Sequence, residues 1–244
     1  ERILILGGTR AARELAALLL AEGFAPITSL AGATSAPLMP PGAVRIGGFG
    51  GPEGLAAYVK AEGIAAIIDA THPNAAVISA NAARAAAICN VPLLRLDRPE
   101  WMLLPGDRWI TVPSIAAAVG VLPAGARVLA TIGRKEIAAF LARSDIGGVA
   151  RMIEAPPDSV PENWVLLRER PPFTEESERQ LITHHAITHL VTKNAGGSDT
   201  AAKIAAARAL GVAVVMIARP YKPEARTCPD APAVVRDLRH LLLP

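Results

Sequence analysis

The chain has 244 residues, enough for one large α/β domain or two small ones; 51% are hydrophobic and 19% charged, which excludes a disordered chain. Aromatic residues make up only 4%, so Ala, Val, Ile and Leu carry the apolar mass, a mix suited to parallel strands covered by Ala-rich helices. With 25 Lys and Arg against 22 Asp and Glu, the net charge of +3 comes without a basic run; that argues against nucleic acid and leaves scattered Arg for a polyanionic small molecule.

In chain order the pattern is strand then helix, repeated. Arg2 to Leu6 reads as a buried strand ending at Gly7-Gly8, and Thr9 to Glu22 as a helix stopped by Gly23. Pro26 to Leu30 is a second strand, and Val44 to Ile46 a short third one after a loose Gly/Pro/Ser stretch. Pro52 opens a helix running to about Glu62, Ile64 to Ala70 is the next strand, Asn74 to Asn90 a helix, and Val91 to Leu96 the last strand of this lobe. Strands alternating with helices of this length predict right-handed βαβ units in a doubly wound sheet.

Arg98 to Gly106 reads as the crossover, giving expected domains 1–97 and 98–244. The second lobe repeats the theme. Its expected strands are Trp109–Val112, Arg127–Thr131, Val149–Ile153, Trp164–Leu167, His189–Thr192 and Val212–Ile217. Its expected helices are Ser114–Val121, Lys135–Ala142, Thr174–His184 and Asp199–Leu210, with an amphipathic tail helix over Val234 to Leu243. No apolar stretch is long enough to cross a bilayer, and no secretory leader is read in the first residues. Cys89 and Cys228 stand far apart, as in a reducing compartment, so a cytoplasmic protein is expected.

Three strand ends carry candidate chemistry. Gly7 and Gly8 let backbone approach a pyrophosphate at a helix N-terminus, with Thr9 as a hydroxyl donor and Arg10 as a cation. The end of strand 2, Thr28-Ser29-Leu30-Ala31-Gly32, lacks the carboxylate that holds an NAD ribose; Ser29 could donate to a 2′-phosphate instead, which points to NADPH. Thr71-His72-Pro73 ends strand 4, with His72 as an acid or hydrogen-bond donor and Asp69 able to fix it or to pair elsewhere.

In the second lobe, Lys193 is placed to neutralise an anion or give a proton, with Ser198 or Asp199 as the cap of the next helix. Lys203 reads there as the partner of Asp199 in an ordinary exposed pair. Arg134-Lys135 forms a further strand-end cluster. His184, His185 and His189 have no completing Cys or carboxylate, so no metal is expected. Taken alone, these features leave open a reductase, a non-catalytic NADP-binding sensor, and a methyltransferase holding its cofactor at a glycine-rich strand end.

Several segments together resemble the precorrin-6A reductase family of cobalamin biosynthesis. They are Gly7-Gly8-Thr9-x-x-Ala12-Arg13, Arg45-Ile46-Gly47-Gly48-Phe49-Gly50 and Asp69-Ala70-Thr71-His72-Pro73, then Thr131-x-Gly133-Arg134 and Val191-Thr192-Lys193-Asn194-x-Gly196-Gly197. Thr200-x-x-Lys203 and Val214-Val215-Met216-Ile217-x-Arg219-Pro220 complete the set. Departures stand at Ala11, Asn74 and Ala195, where many relatives carry Glu, Phe and Ser.

The resemblance implies an α/β fold of two Rossmann-like lobes with mainly parallel sheets and a cleft between them. It implies NADPH-dependent reduction of one ring double bond of precorrin-6A, an anionic tetrapyrrole, with neighbouring pathway enzymes as further partners. On this reading Gly7, Gly8, Thr9, Arg10, Ser29, Leu30, Ala31 and Thr71 line the cofactor. Arg134, Asn194, Gly196, Gly197 and Ser198 meet the substrate, and Lys193 and His72 are catalytic.

Overall fold

The computed structural model describes residues 1–32 and 38–242. The first unit opens with β1 (Arg2–Leu6), α1 (Arg10–Ala21), β2 (Ala25–Leu30), β3 (Ala43–Ile46), α2 (Pro52–Ala61), β4 (Ile64–Asp69), α3 (Ala76–Cys89) and β5 (Leu93–Leu96). The second holds β6 (Trp109–Val112), α4 (Ile115–Val121), β7 (Arg127–Ala130), α5 (Ala138–Leu141), β8 (Gly147–Met152), β9 (Trp164–Arg168), α6 (Glu175–His184), β10 (His189–Lys193), α7 (Ala202–Leu210) and β11 (Ala213–Ile217). The chain then returns to the first unit with β12 (Arg226–Cys228) and α8 (Ala231–Leu242).

Each unit is a six-stranded sheet, in the orders β12-β5-β4-β1-β2-β3 and β6-β11-β10-β7-β8-β9. Every strand pair is parallel. Read from β3, the first sheet has the 3-2-1-4-5-6 order of a Rossmann arrangement, with β12 in the sixth place. The second repeats five places of that order from β9, as β9-β8-β7-β10-β11 with β1 and β4 matched by β7 and β10, but its sixth strand is β6, the first of the unit in the chain.

Period-2 alternation explains why helices cover both faces. In the first unit Ile3, Ile5 and Ile68 point to α1 and α8, meeting Leu15, Leu19, Val234 and Leu238. Leu4, Leu6 and Ile67 point the other way, to Leu55 and Val59 of α2 and the small face Ala82-Ala85-Ala86 of α3. The second unit splits likewise, Val128, Ala130 and Val191 packing with Phe140, and Leu129, Leu190 and Val214 with Ile182, Ile204 and Ala207. Each fully buried Leu, Ile or Val contributes roughly 1.5–3 kcal/mol relative to exposure.

The expected domain division is corrected at the C-terminus. The compact units are Glu1–Pro99 with Pro220–Pro244, and Glu100–Arg219. Pairing of β12 with β5, and of Val234 and Leu238 with the α1 core, carries the last residues into the first unit. Three residues is too short for periodicity to reveal β12, so Leu96 read as the lobe's final strand end.

Two helices are also shorter than the sequence suggests. Lys135 to Ile137 form a turn before α5, and α7 starts at Ala202, its N-cap Ala201 giving no side-chain bond; neither Ser198 nor Asp199 caps it.

Candidate active site

Because every strand is parallel, the loops after β1, β2, β3 and β4 share one edge of the first sheet. At the β1 end, Gly7 remains in the sheet through Gly7 N to Ser29 O (2.9 Å). A Cβ on Gly7 would come within 2.7 Å of Thr28 Cγ2. Gly8 has φ +108, which an L side chain adopts only under strain, and the space around its Cβ position is open to 4 Å. The first amides of α1 have no partner within the helix and no acid in the first turn beside them, leaving a positive helix end facing the loop.

Two expectations at this loop change. The Thr9 hydroxyl caps α1 by accepting from Ala12 N (3.1 Å) and gives its own proton to Ala70 O (2.9 Å). It ties the β1 loop to the end of β4 and has no proton left for a phosphate. Arg10 bonds Glu14 one turn on (2.7 Å), a solvent-exposed pair.

At the β2 end, Ser29 is buried and Leu30 O accepts from Gly47 N (2.9 Å), while Ala31 is exposed. The charge here comes from Arg45, in register with Ser29 on β3. Its guanidinium donates to Ser29 Oγ (3.0 Å) and to the carbonyls of Gly47 (2.8 Å) and Gly48 (3.0 Å), and stacks 3.8 Å from the Phe49 ring centre. Arg45 belongs to the segment Arg45-Ile46-Gly47-Gly48-Phe49-Gly50 and is a site residue that strand and helix patterns do not single out. Its signal was a lone Arg on a strand that leads into a Gly-rich turn.

The β4 end is built on Asp69, 1% exposed. Its Oδ1 accepts from Thr71 Oγ1 (2.6 Å) and Thr71 N (3.3 Å), and Oδ2 accepts from Arg95 Nε (3.2 Å), with Lys222 Nζ at 4.0 Å. Burial pushes its pKa up, but the nearby hydroxyls of Ser79 and Thr71 and the charges of Lys222 and Arg95 outweigh burial and leave it below the usual value. The Thr71 hydroxyl is thus committed to Asp69. His72 is exposed, and its Nδ1 accepts from Asn74 N (3.2 Å), which places the proton of the neutral ring on Nε2. Asp69 pairs elsewhere and holds the loop that carries His72.

In the second unit the same edge is formed by the loops after β7, β8 and β10. Lys193, at the end of β10, pairs with Glu136 in the turn before α5. The Asn194 amide is used on both sides by the Trp101 backbone, accepting from its N (2.9 Å) and donating to its O (3.2 Å). Trp101 Nε1 also donates to Gly197 O (2.8 Å), and Arg219 Nε to Asn194 O (2.8 Å). Asn194 therefore shapes this loop through its side chain. Gly196 and Gly197 have φ +65 and +75, and Ser198 is exposed. Arg134 pairs with Glu154 (2.9 Å) and, with Lys135, borders an open recess of about 370 Å³ whose other walls include Ile137, Leu141, Pro156 and Pro157.

Three charged side chains are buried in the second unit. Lys203 is 5% exposed, and its Nζ donates to Thr131 Oγ1 (3.0 Å) in place of the expected surface pair with Asp199. Arg151 and Glu178 form a buried two-point ion pair, Nη2 to Oε2 at 2.8 Å, under the Phe173 ring. Nothing in the strand pattern around Arg151 or the helical pattern around Glu178 and Lys203 separates them from solvated residues. Among the described residues no three His, Cys, Asp or Glu side chains gather to hold a metal, and no helix is long and apolar enough to cross a membrane.

The family model for precorrin-6x reductase CbiJ/CobK matches residues 2–239. The chain belongs to this family. The precorrin-6A reductase of Rhodococcus erythropolis is 47% identical over 231 residues, 94% of this chain and 93% of the relative. That of Rhodobacter capsulatus is 44% identical over 230 residues, 93% and 91% of the two chains. A solved structure titled CobK precorrin-6A reductase superposes with a TM-score of 0.93 at 42% identity, covering 99% of this chain and 97% of the other. The family's members are oxidoreductases, so the sensor and methyltransferase readings fall away.

Proposed function

We propose that the chain reduces one ring double bond of precorrin-6A, giving precorrin-6B, with NADPH held by the first unit and the substrate met by the second. The reaction rests on family membership over nearly the whole chain. The observation that carries NADPH over NADH is Arg45 on Ser29, a cation at the ends of β2 and β3 where an NAD site would hold a carboxylate.

The first unit's residues fit a phosphorylated dinucleotide. Gly8 leaves open space beside the amides that begin α1, where backbone donors suit a pyrophosphate. Arg45, with the Ser29 hydroxyl behind it, suits a 2′-phosphate, and Ala31 is an open wall beside them. When bound, NADPH supplies the hydride.

The chain's own residues orient the substrate and deliver a proton. Arg134 and Lys135, at the edge of an apolar-walled recess, suit a macrocycle bearing carboxylates. The Lys193 ammonium, held by Glu136, is the proposed donor to the carbon beside the reduced one, with His72 Nε2 as second candidate. We place the protein in the cytoplasm, with the pathway's neighbouring enzymes as partners; free Cys89 and Cys228 agree with a reducing compartment.

The test is an anaerobic assay of NADPH absorbance. A fall on adding precorrin-6A is expected. No fall with precorrin-6A would overturn the reading, and an equal rate with NADH would overturn the role of Arg45.

A further inference from the structure

Lys203 occupies the second position of α7, at the positive end of the helix dipole, and is 5% exposed. Its Nζ donates to Thr131 Oγ1 (3.0 Å) and lies 5.6 Å from the Trp101 ring centre. Among the described residues no carboxylate lies within ion-pair distance of it. The charged groups facing it from neighbouring elements are Arg151 on β8 and Glu178 on α6, and these are bonded to each other. Asp199 lies one helical turn before it in the chain, outside ion-pair distance. Burial, helix dipole and Arg151 therefore all disfavour an ammonium, against the weaker opposing pull of Glu178.

Thr131 is the first residue beyond β7. Its N and Oγ1 both donate to Val191 O on β10 (3.0 and 3.1 Å), so its hydroxyl faces Lys203 only as acceptor. Both a neutral amine and an ammonium can make that bond, but the charged one makes it about twice as strong. Three residues on stands Arg134, at the rim of the recess.

We infer that Lys203 is a positioning residue for the reduction, acting through the Thr131 hydroxyl on the turn that carries Arg134, and that it takes up a proton when a polycarboxylate docks on that turn. The inference rests on the reading that the second unit meets the anionic substrate. Burial, ahead of Arg151, pushes the Lys203 pKa down to about 7, so near neutral pH a large fraction of the free protein holds a neutral amine. A carboxylate arriving nearby favours the ammonium, which tightens Thr131. By linkage, substrate binding weakens as pH rises above 7.

The test is the pH profile of the full chain with saturating NADPH and varied precorrin-6A, from pH 6.5 to 8.5. For the unaltered chain KM should rise by about 6-fold over that range, as a pKa one unit higher in the complex requires, with kcat changing much less. Lys203→Met should flatten that limb, and Thr131→Val, which removes the acceptor, should move it to lower pH. The same limb in Lys203→Met would overturn the inference.

Calorimetry of precorrin-6A binding at pH 8 in two buffers of different ionisation heat serves if that variant fails to fold. Proton uptake of about 0.4 per site is expected from the same linkage, and none would overturn it. Absence of any precorrin-6A binding or turnover by the unaltered chain would instead sink the functional reading on which the inference stands, and the inference with it.

Discussion

The two units share the order of five of their six strands, yet they bury different ionisable groups at strand ends on the ligand-facing edge. In the first, β4 ends in Asp69, an anion held by Thr71, Arg95 and Lys222. In the second, the β7 end meets Lys203, an amine whose hydrogen-bond partner is the Thr131 hydroxyl. A buried charge surrounded by opposite charges stays ionised and acts as a fixed strut. One bonded only to a neutral group can change its protonation when a charged ligand arrives. The lesson is that strand order fixes where ligands approach, while the partners of the buried charge decide whether the site is rigid or responsive.

The comparison breaks most visibly if the strut is removed. Asp69→Ala leaves Arg95 and Lys222 buried without their carboxylate, and should cost about 3–5 kcal/mol of stability, read from urea or thermal unfolding. A loss under 1 kcal/mol would mean the first unit has no such strut.

Lys193→Ala should lower kcat by about 100-fold while leaving the NADPH dissociation constant within about 3-fold, as expected for a proton donor outside the cofactor seat. Unchanged turnover would remove Lys193 from the chemistry. Arg45→Ala is a smaller change confined to the first unit. The KM for NADPH should rise by about 10- to 50-fold and that for NADH by less than 2-fold, since only the former loses a charge-assisted bond.

Stability against pH sharpens the contrast with the least effect. Both groups have folded pKa values below their unfolded ones, so the unfolded chain binds more protons and stability rises with pH in both cases. The windows differ. The Asp69 contribution is present above about pH 4 and is lost as acid carries the pH down through its folded pKa. The Lys203 penalty is present in full below pH 7 and eases as pH rises from 7 towards about 10.4, by about 1 kcal/mol per unit. Lys203→Met should remove the alkaline slope and leave the acid one.

Much of this architecture was legible in the residues. Apolar runs such as Ile3-Leu4-Ile5 and Leu190-Val191, each followed by Gly or a polar turn, fixed the parallel strands, and the Ala-rich helices between them fixed the doubly wound layout. The diglycine, Asp69 and Lys193 also fell where the structure puts them, at strand ends on one edge of each sheet. What escaped was partnership.

No pattern along the chain says that Thr9 bonds Ala70, that Asn194 is taken up by Trp101, or that Lys203 faces inward. These contacts join residues up to 93 positions apart, and hydrophobic periodicity carries no record of them. Strand β12 escaped for a different reason, being a three-residue segment that joins the sheet edge beside β5.

The late return of the chain to its first sheet has a consequence for how the protein is made. A growing polypeptide delivers all six strands of the second sheet, through Ile217, before it delivers β12. The sheet that begins at the N-terminus is thus the last to be finished. Its exposed edge and the uncovered side of α1 wait until β12 and α8 have emerged from the ribosome, the interval in which this sequence is most open to aggregation.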